Sequence, residues 1–344
     1  MARTAKPNVR EIEGRNMMQW QPKPGGSRRK RRSYRHRRLR WGRLLAVLAG
    51  LAVLLFGLVK LIGYGIDLIS SRHTSDKLQS IYYAAPTEET ILPTQEPSAA
   101  PTPAVMPTET ATPSSSPAPT QSPTPRLEAM AYPNNSKLQI SSRFKALRKE
   151  SKYIVGWLSI HKMLDEAVVQ RDNVYYLDHD AMGNANVNGA LFLDSAISLK
   201  TRPYAYIIYG HNMKSGVMFG SLRNYENSTF YHNDPFITFD TMYESGRYVI
   251  FAVGSVSTEK WGQNYVDFFA LRSASIQERQ TAIDALISAS VHTCPVDVQV
   301  NDQLLVLVTC VEKDEDRRVV VARRIRDGED EAELKKQVQK SQKR

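Results

Sequence analysis

Leu304-Leu-Val-Leu-Val-Thr-Cys310, with Arg317-Arg-Val-Val-Val-Ala-Arg323 seven residues on from its last member, decides how this chain is read. Both runs are aliphatic and rich in β-branched residues, so both predict short strands. A third run, Tyr204-Ala-Tyr-Ile-Ile-Tyr209, ends in Gly210-His211-Asn212. Further runs lie outward from these: Tyr153 to Leu158, Val174 to Leu177, Leu191 to Leu193 and Tyr248 to Val253. Turn signals such as Met182-Gly-Asn and Glu244-Ser-Gly-Arg247 punctuate them. Many short strands of this kind predict a mainly β domain, a barrel or sandwich. One clear helix interrupts it. Ser275-Ile-Gln-Glu278 is a capping box, and Ile276, Ile283 and Ile287 recur behind it at helical spacing. Leu138, Phe144 and Leu147 suggest a shorter helix at the start of the domain.

Three reactive groups sit at the ends of these runs. Cys310 closes one strand, His211 follows another, and Arg317 opens a third. Together they suit acyl transfer. A thiolate attacks an amide carbonyl, an imidazole moves the proton, and a guanidinium meets the developing oxyanion. Arg317, Val319 and Val321 share a strand face by alternation. Taken singly, the residues leave other readings open. Cys294 and Cys310, the two cysteines, bracket a 15-residue loop, and outside a cell a disulfide between them is possible. His211 alone also reads as a surface loop histidine. His292-Thr-Cys294 lacks the second pair that tetrahedral zinc needs, and no Gly-rich phosphate loop is present.

The net charge of +11 belongs to one end. Residues 1–43 hold 15 Lys/Arg against 2 Asp/Glu, and the rest of the chain is slightly acidic. Such a tail suits nucleic acid or an anionic membrane surface. The next segment favours the membrane. Leu44 to Val59 has no charged or strongly polar residue, and Leu61 to Ile66 continues the run past Lys60. A bilayer core of about 30 Å needs roughly 20 helical residues, so 44–66 is long enough to span it. Lys60 lies near the far end, where its stem reaches the headgroups. The basic flank predicts a cytoplasmic N-terminus and places everything after Ile66 outside. The absence of a small-x-small site close behind favours an uncleaved signal anchor.

Of the 40 residues from Pro86 to Pro125, 25 are Pro, Thr or Ser. That composition has too little to bury to repay ordering, and it reads as a disordered stalk holding a domain off the membrane. Five segments follow: a basic cytoplasmic tail (1–43), a transmembrane signal anchor (44–66), a membrane-proximal segment and stalk (67–126), a catalytic domain (127–327) and a charged tail or frayed helix (328–344).

Val306-Leu-Val-Thr-Cys310 with Arg317 on the following strand resembles the sortases, the cysteine transpeptidases of Gram-positive surfaces. Ile154 to Leu158, Val168 to Leu177, Gly189 to Asp194, Ile207-Ile-Tyr-Gly-His-Asn-Met213 and Met218 to Leu222 are similar to segments of class B members, as is a helix inserted before the nucleophile strand. The resemblance covers about residues 137–326. It implies a closed β-barrel, with Cys310 as nucleophile, His211 as general acid/base and Arg317 as the oxyanion or substrate-positioning group, Arg318 being its near competitor. It implies no metal or organic cofactor. Its expected partners are secreted proteins with a C-terminal sorting signal, and a cell-wall peptide precursor or pilin amine as acceptor. Two alternatives remain from the residues: another cysteine cell-wall peptidase, or a non-catalytic stalked wall-binding or scaffold domain.

Overall fold

The computed structural model describes residues 41–86, 125–310 and 316–344, with the backbone alone at Cys310. The basic tail up to residue 40 and the Pro/Thr/Ser residues 87–124 lie outside the described residues. The chain divides into two units, one ending at Phe56 and one spanning Gly57–Arg344. In the first, the described residues 41–56 are helical and exposed.

Helix α1 (Trp41–Ala84) is long and apolar enough to cross a membrane, and its most apolar stretch has no buried residue. The second unit is an eight-stranded closed barrel with helices around it. Its strands are β1 (Ile154–Ile160), β2 (Leu164–Val169), β3 (Leu191–Leu193), β4 (Ala205–Gly210), β5 (Phe236–Thr241), β6 (Arg247–Ser257), β7 (Leu304–Cys310) and β8 (Asp316–Arg324). They run β1-β2-β3-β4-β7-β8-β6-β5 around the wall, and β5 pairs with β1 to close it. Closure pairs each of the described strands with a neighbour on both sides. The middles of the two central strands are apolar on every position because both faces are covered: Leu304 to Val308 and Val319 to Ala322 are all buried.

Helices α2 (Ser142–Glu150), α3 (Ser228–Asn233), α4 (Ile276–Ala289) and α5 (Glu331–Val338) cover the wall. The expected capping box opens α4, where Ser275 Oγ accepts from the Glu278 N–H. Its reciprocal half is not made, since the Glu278 carboxylate takes the Ser273 hydroxyl at 2.6 Å instead. The connection carrying α4, between β6 and β7, is pinned by Arg279. This fully buried guanidinium donates to the carbonyls of Val300, Leu271, Tyr204 and Asp302. Burial lowers its pKa to about 10, so it stays charged at neutral pH.

Four expectations change. Val174 to Leu177 is not a strand but a 3-10 turn over Tyr175–Leu177. Asp172 Oδ1 accepts the N–H groups of Val174 (2.9 Å) and Tyr175 (2.6 Å), and this side-chain turn outcompetes extension. Strands β2 and β5 were not expected, because Asp165, Glu166 and Asp240 interrupt their apolar pattern. Residues 328–344 are no loose tail. Asp330 caps α5 through the Glu333 N–H, and Leu334 and Val338 join the main core.

The fourth change concerns residues 67–85. They continue α1 unbroken and dock on the barrel. Tyr82 stacks on Trp157 with centroids 4.4 Å apart and rings 8° from parallel, a contact worth about 1 kcal/mol beyond its buried area. Leu78 and Tyr82 are buried with Phe144, Leu147 and Phe192 in a second core cluster. Both ends of the Pro/Thr/Ser stretch are therefore on the same unit. The Pro86 carbonyl accepts from Ser142 Oγ (3.4 Å), and the Pro125 carbonyl accepts from the Ile276 N–H (3.3 Å).

The docked helix also explains the charges in β2. Asp165 accepts from Trp157 Nε1 (2.8 Å) and from the Tyr83 hydroxyl (3.0 Å), and Ser75 Oγ lies 2.7 and 2.6 Å from the two oxygens of Glu166. Burial pushes the Glu166 carboxyl up from 4.5 to about 7. A carboxyl with a raised folded pKa binds more protons folded than unfolded between those two values. Stability is then highest below about 4.5, falls as pH rises, and levels off above about 7, by at most about 3 kcal/mol. Glu166→Gln is expected to flatten this slope. Thermal unfolding of both proteins from pH 5 to 8 checks it, and parallel slopes would contradict the assignment.

Candidate active site

Three backbone positions meet at one end of the barrel. Strand β4 runs parallel to β7 with Gly210 opposite Thr309, so His211 leaves its strand where Cys310 ends the neighbouring one. Strand β8 runs antiparallel to β7 with Cys310 opposite Arg317 and Thr309 opposite Arg318. Directly opposed residues of an antiparallel pair share a face. The register therefore sets positions 310 and 317 on one face and positions 309 and 318 on the other.

The two arginines differ in what they hold. Arg318 Nε donates to Glu226 Oε1 at 2.8 Å, an ion pair across to the 3-10 segment Phe219–Glu226. Arg317 Nη1 donates to the Asp316 carbonyl at 3.0 Å, and the residue is half-buried. Its charge is felt at Tyr209, whose phenol is raised by burial and by Asp194, with Arg272 and Arg317 opposing. The Tyr209 hydroxyl donates to Asp194 Oδ2 at 3.0 Å, and Arg272 Nη1 lies 3.6 Å from Asp194 Oδ1.

His211 is held by a backbone carbonyl. Its Nε2 lies 2.5 Å from the Leu177 carbonyl oxygen. A carbonyl only accepts, so the proton sits on Nε2, and Nδ1 is the nitrogen left to exchange protons in the neutral ring. The loop after His211 folds back, with the Phe219 N–H donating to the His211 carbonyl at 3.0 Å. The turn that supplies Leu177 comes close because residue 189 is glycine. Gly189 has φ +61°, and a Cβ there would lie 2.5 Å from the Tyr176 oxygen, 2.9 Å from the Leu177 oxygen and 3.2 Å from His211 Cδ2. Gly189→Ala is expected to displace the Leu177 carbonyl, cost at least about 1–3 kcal/mol of stability and lower turnover. Thermal unfolding and peptide cleavage rates check it, and wild-type values in both would contradict this packing.

Cys294 is a free thiol. It donates to the Val296 carbonyl at 3.2 Å, and burial pushes its pKa up, which leaves it a poor nucleophile. Among the described residues no group of three or more His, Cys, Asp or Glu side chains is arranged to hold a metal ion.

A closed barrel with a cysteine and a histidine at neighbouring strand ends is the framework of a cysteine acyl-transfer enzyme. The family profile of the sortase domain matches residues 158–325. Sortase B of Staphylococcus aureus (strain NCTC 8325 / PS 47) is 29% identical over 192 residues, covering 54% of this chain and 75% of that protein. Sortase B of Listeria monocytogenes serovar 1/2a (strain ATCC BAA-679 / EGD-e) is 29% identical over 197 residues, covering 56% and 77%. The crystal structure of sortase B from B. anthracis in complex with AAEK1 shares the fold, with a TM-score of 0.55 and 23% identity over 76% of this chain and 99% of that one. Residues 158–325 match the sortase domain, the relatives found are class B sortases, and the chain is an enzyme of the cysteine transpeptidase kind.

The sequence pattern pointed to His211, Cys310 and Arg317, and the register brings these three positions together. It missed Leu177, whose contribution is a backbone carbonyl, and the Tyr209, Asp194 and Arg272 cluster. For Tyr209 a signal existed, since alternation puts it on the same strand face as the position of His211.

Proposed function

We propose that Cys310 is the nucleophile, His211 the general acid/base and Arg317 the group that holds the oxyanion. The observation that carries this is the register: Gly210 opposite Thr309 and Cys310 opposite Arg317. The thiolate of Cys310 attacks the carbonyl of a sorting signal near the C-terminus of a secreted protein. A C–S bond forms, and the carbonyl electrons move onto oxygen beside Arg317. The C–N bond then breaks, and His211, carrying on Nδ1 the proton that the Cys310 thiol gave up, passes it to the departing amine. The resulting thioacyl enzyme is attacked by a second amine, from a cell-wall peptide precursor or a pilin lysine. His211 takes that amine's proton, and the thiolate leaves.

The apolar part of α1 anchors the enzyme in the membrane, with residues 1–43 in the cytoplasm and the barrel outside. The Pro/Thr/Ser stretch returns to the unit it left. The connection between β6 and β7, held rigid by Arg279, forms a wall of the substrate groove.

The test is cleavage of a pool of sorting-signal peptides by the full chain in detergent, with and without added amines. Cleavage with the amine joined to the N-terminal fragment is the expected result. Binding without cleavage of any peptide would favour a wall-binding scaffold, and cleavage with no amine product would favour a peptidase.

A further inference from the structure

Ser71 and Thr74 of α1 make their buried polar contacts with one segment, residues 180–188, which is continuous with the turn that holds His211, while Tyr82 farther along donates to Asp240. Thr74 Oγ1 donates to Asp180 Oδ2 at 2.9 Å. Ser71 Oγ donates to Asn186 Oδ1 at 3.1 Å and accepts from Asn188 Nδ2 at 3.0 Å. Asn186 Nδ2 donates to the Asp67 carbonyl at 2.9 Å. Ser71, Thr74, Asp180, Asn186 and Asn188 are all buried.

These side chains organise the backbone between Leu177 and Gly189. Asp180 Oδ1 accepts the N–H groups of Met182 (3.0 Å) and Asn184 (2.9 Å), and Asn186 Oδ1 accepts that of Asn188 (2.9 Å). The Asn186 N–H donates to the Asp178 carbonyl, the Gly189 N–H to the Asn186 carbonyl and the Ala190 N–H to the Tyr176 carbonyl. Leu177 and Gly189, the two residues that meet His211, sit at the two ends of this knot. The apolar side of the dock, Leu78 and Tyr82, shares a core cluster with Tyr176, Ala181 and Ala190 of the same stretch. A buried carboxylate or amide that loses a partner must find water or move. Without Thr74, Asp180 Oδ2 keeps Asn184 Nδ2 as its remaining partner (3.1 Å), within the segment that carries the Leu177 carbonyl.

We infer that Ser71 and Thr74 of the membrane-proximal helix are positioning residues for His211, acting through Asp180, Asn186 and Asn188. The inference rests on His211 as the acid/base for its effect on turnover, but not for its effect on the ring. Removing Thr74 Oγ1 frees the Leu177 carbonyl, and the imidazole loses the bond that fixes its tautomer and its aim.

The experiment uses the full chain in detergent with nitrogen-15-labelled histidine, the His211 signals being assigned with His211→Asn. Wild type is expected to show His211 protonated at Nε2 as a single species. Thr74→Val and Ser71→Ala are expected to show mixed tautomers, and Thr74→Ser to restore the wild-type ring. In peptide cleavage the first two should lower kcat about tenfold or more with KM nearly unchanged, as misplacement remote from the chemistry does. Unchanged His211 signals in both variants would overturn the inference and leave the dock purely structural, whatever the thermal midpoints do. Ser71→Ala keeps the question open to test if Thr74→Val does not fold. Altered tautomers with an unchanged kcat would instead sink His211 as the acid/base and leave the positioning intact.

Discussion

Cys310→Ala is expected to lower acyl transfer about 10,000-fold or more, to background, since no other group on the barrel replaces the attacking thiolate. Folding should survive. Residue 310 ends β7, and the strand's pairing to β4 and β8 is through backbone along its whole length. Cys294 supplies the control. Its thiol is half-buried, donates to the Val296 carbonyl and has a raised pKa, so alkylation of wild type should be carried by Cys310, and Cys294→Ser should keep activity. Peptide cleavage with thermal unfolding of each variant decides the matter. Activity remaining in Cys310→Ala would remove the nucleophile assignment, and activity lost only in Cys294→Ser would reverse it.

Arg317→Ala should cost about 100- to 1,000-fold in kcat, the usual penalty for losing a donor to the oxyanion. Arg318→Ala should cost far less. It gives up an ion pair with Glu226 near the surface, worth about 1 kcal/mol or less of stability. The contrast follows from the register alone, in which 317 opposes Cys310 and 318 opposes Thr309. Arg317→Lys keeps the charge but not the planar fork, so it should fall between wild type and alanine. Turnover of the three variants on one peptide is the check. A deeper loss in Arg318→Ala than in Arg317→Ala would mean that the reacting carbonyl meets the opposite face of β8.

The central strands were legible because they are covered on both faces, while closure into a barrel rather than a sandwich came with the resemblance. Leu304 to Val308 and Val319 to Val321 are unbroken apolar runs that only buried strands or a buried helix explain, and their length excludes the helix. The candidate positions 211, 310 and 317 stand at the ends of such runs, but the runs alone left other readings open and the resemblance singled them out. Strand β2 was hidden by Asp165 and Glu166, which look like surface charges until Ser75, Tyr83 and Trp157 take them up. The partners in α1 were hidden in turn. Ser71, Thr74 and Ser75 behind a membrane span look like solvated linker, and only the fold shows that the helix continues and turns them into the barrel. The Leu177 carbonyl left no trace, since a backbone oxygen is the same in every sequence. Its turn was legible in part, through Asp172 two residues before Val174.

The central claim is that Cys310 carries the acyl group between donor and acceptor. Intact-mass spectrometry of the detergent-solubilised full chain, mixed with sorting-signal peptides in the absence of amine, tests it most directly. The account predicts an adduct of the mass of a peptide's N-terminal fragment, present on wild type, absent from Cys310→Ala, and discharged on adding an amine. No adduct with any peptide, on protein whose Cys310 still alkylates readily, would contradict it.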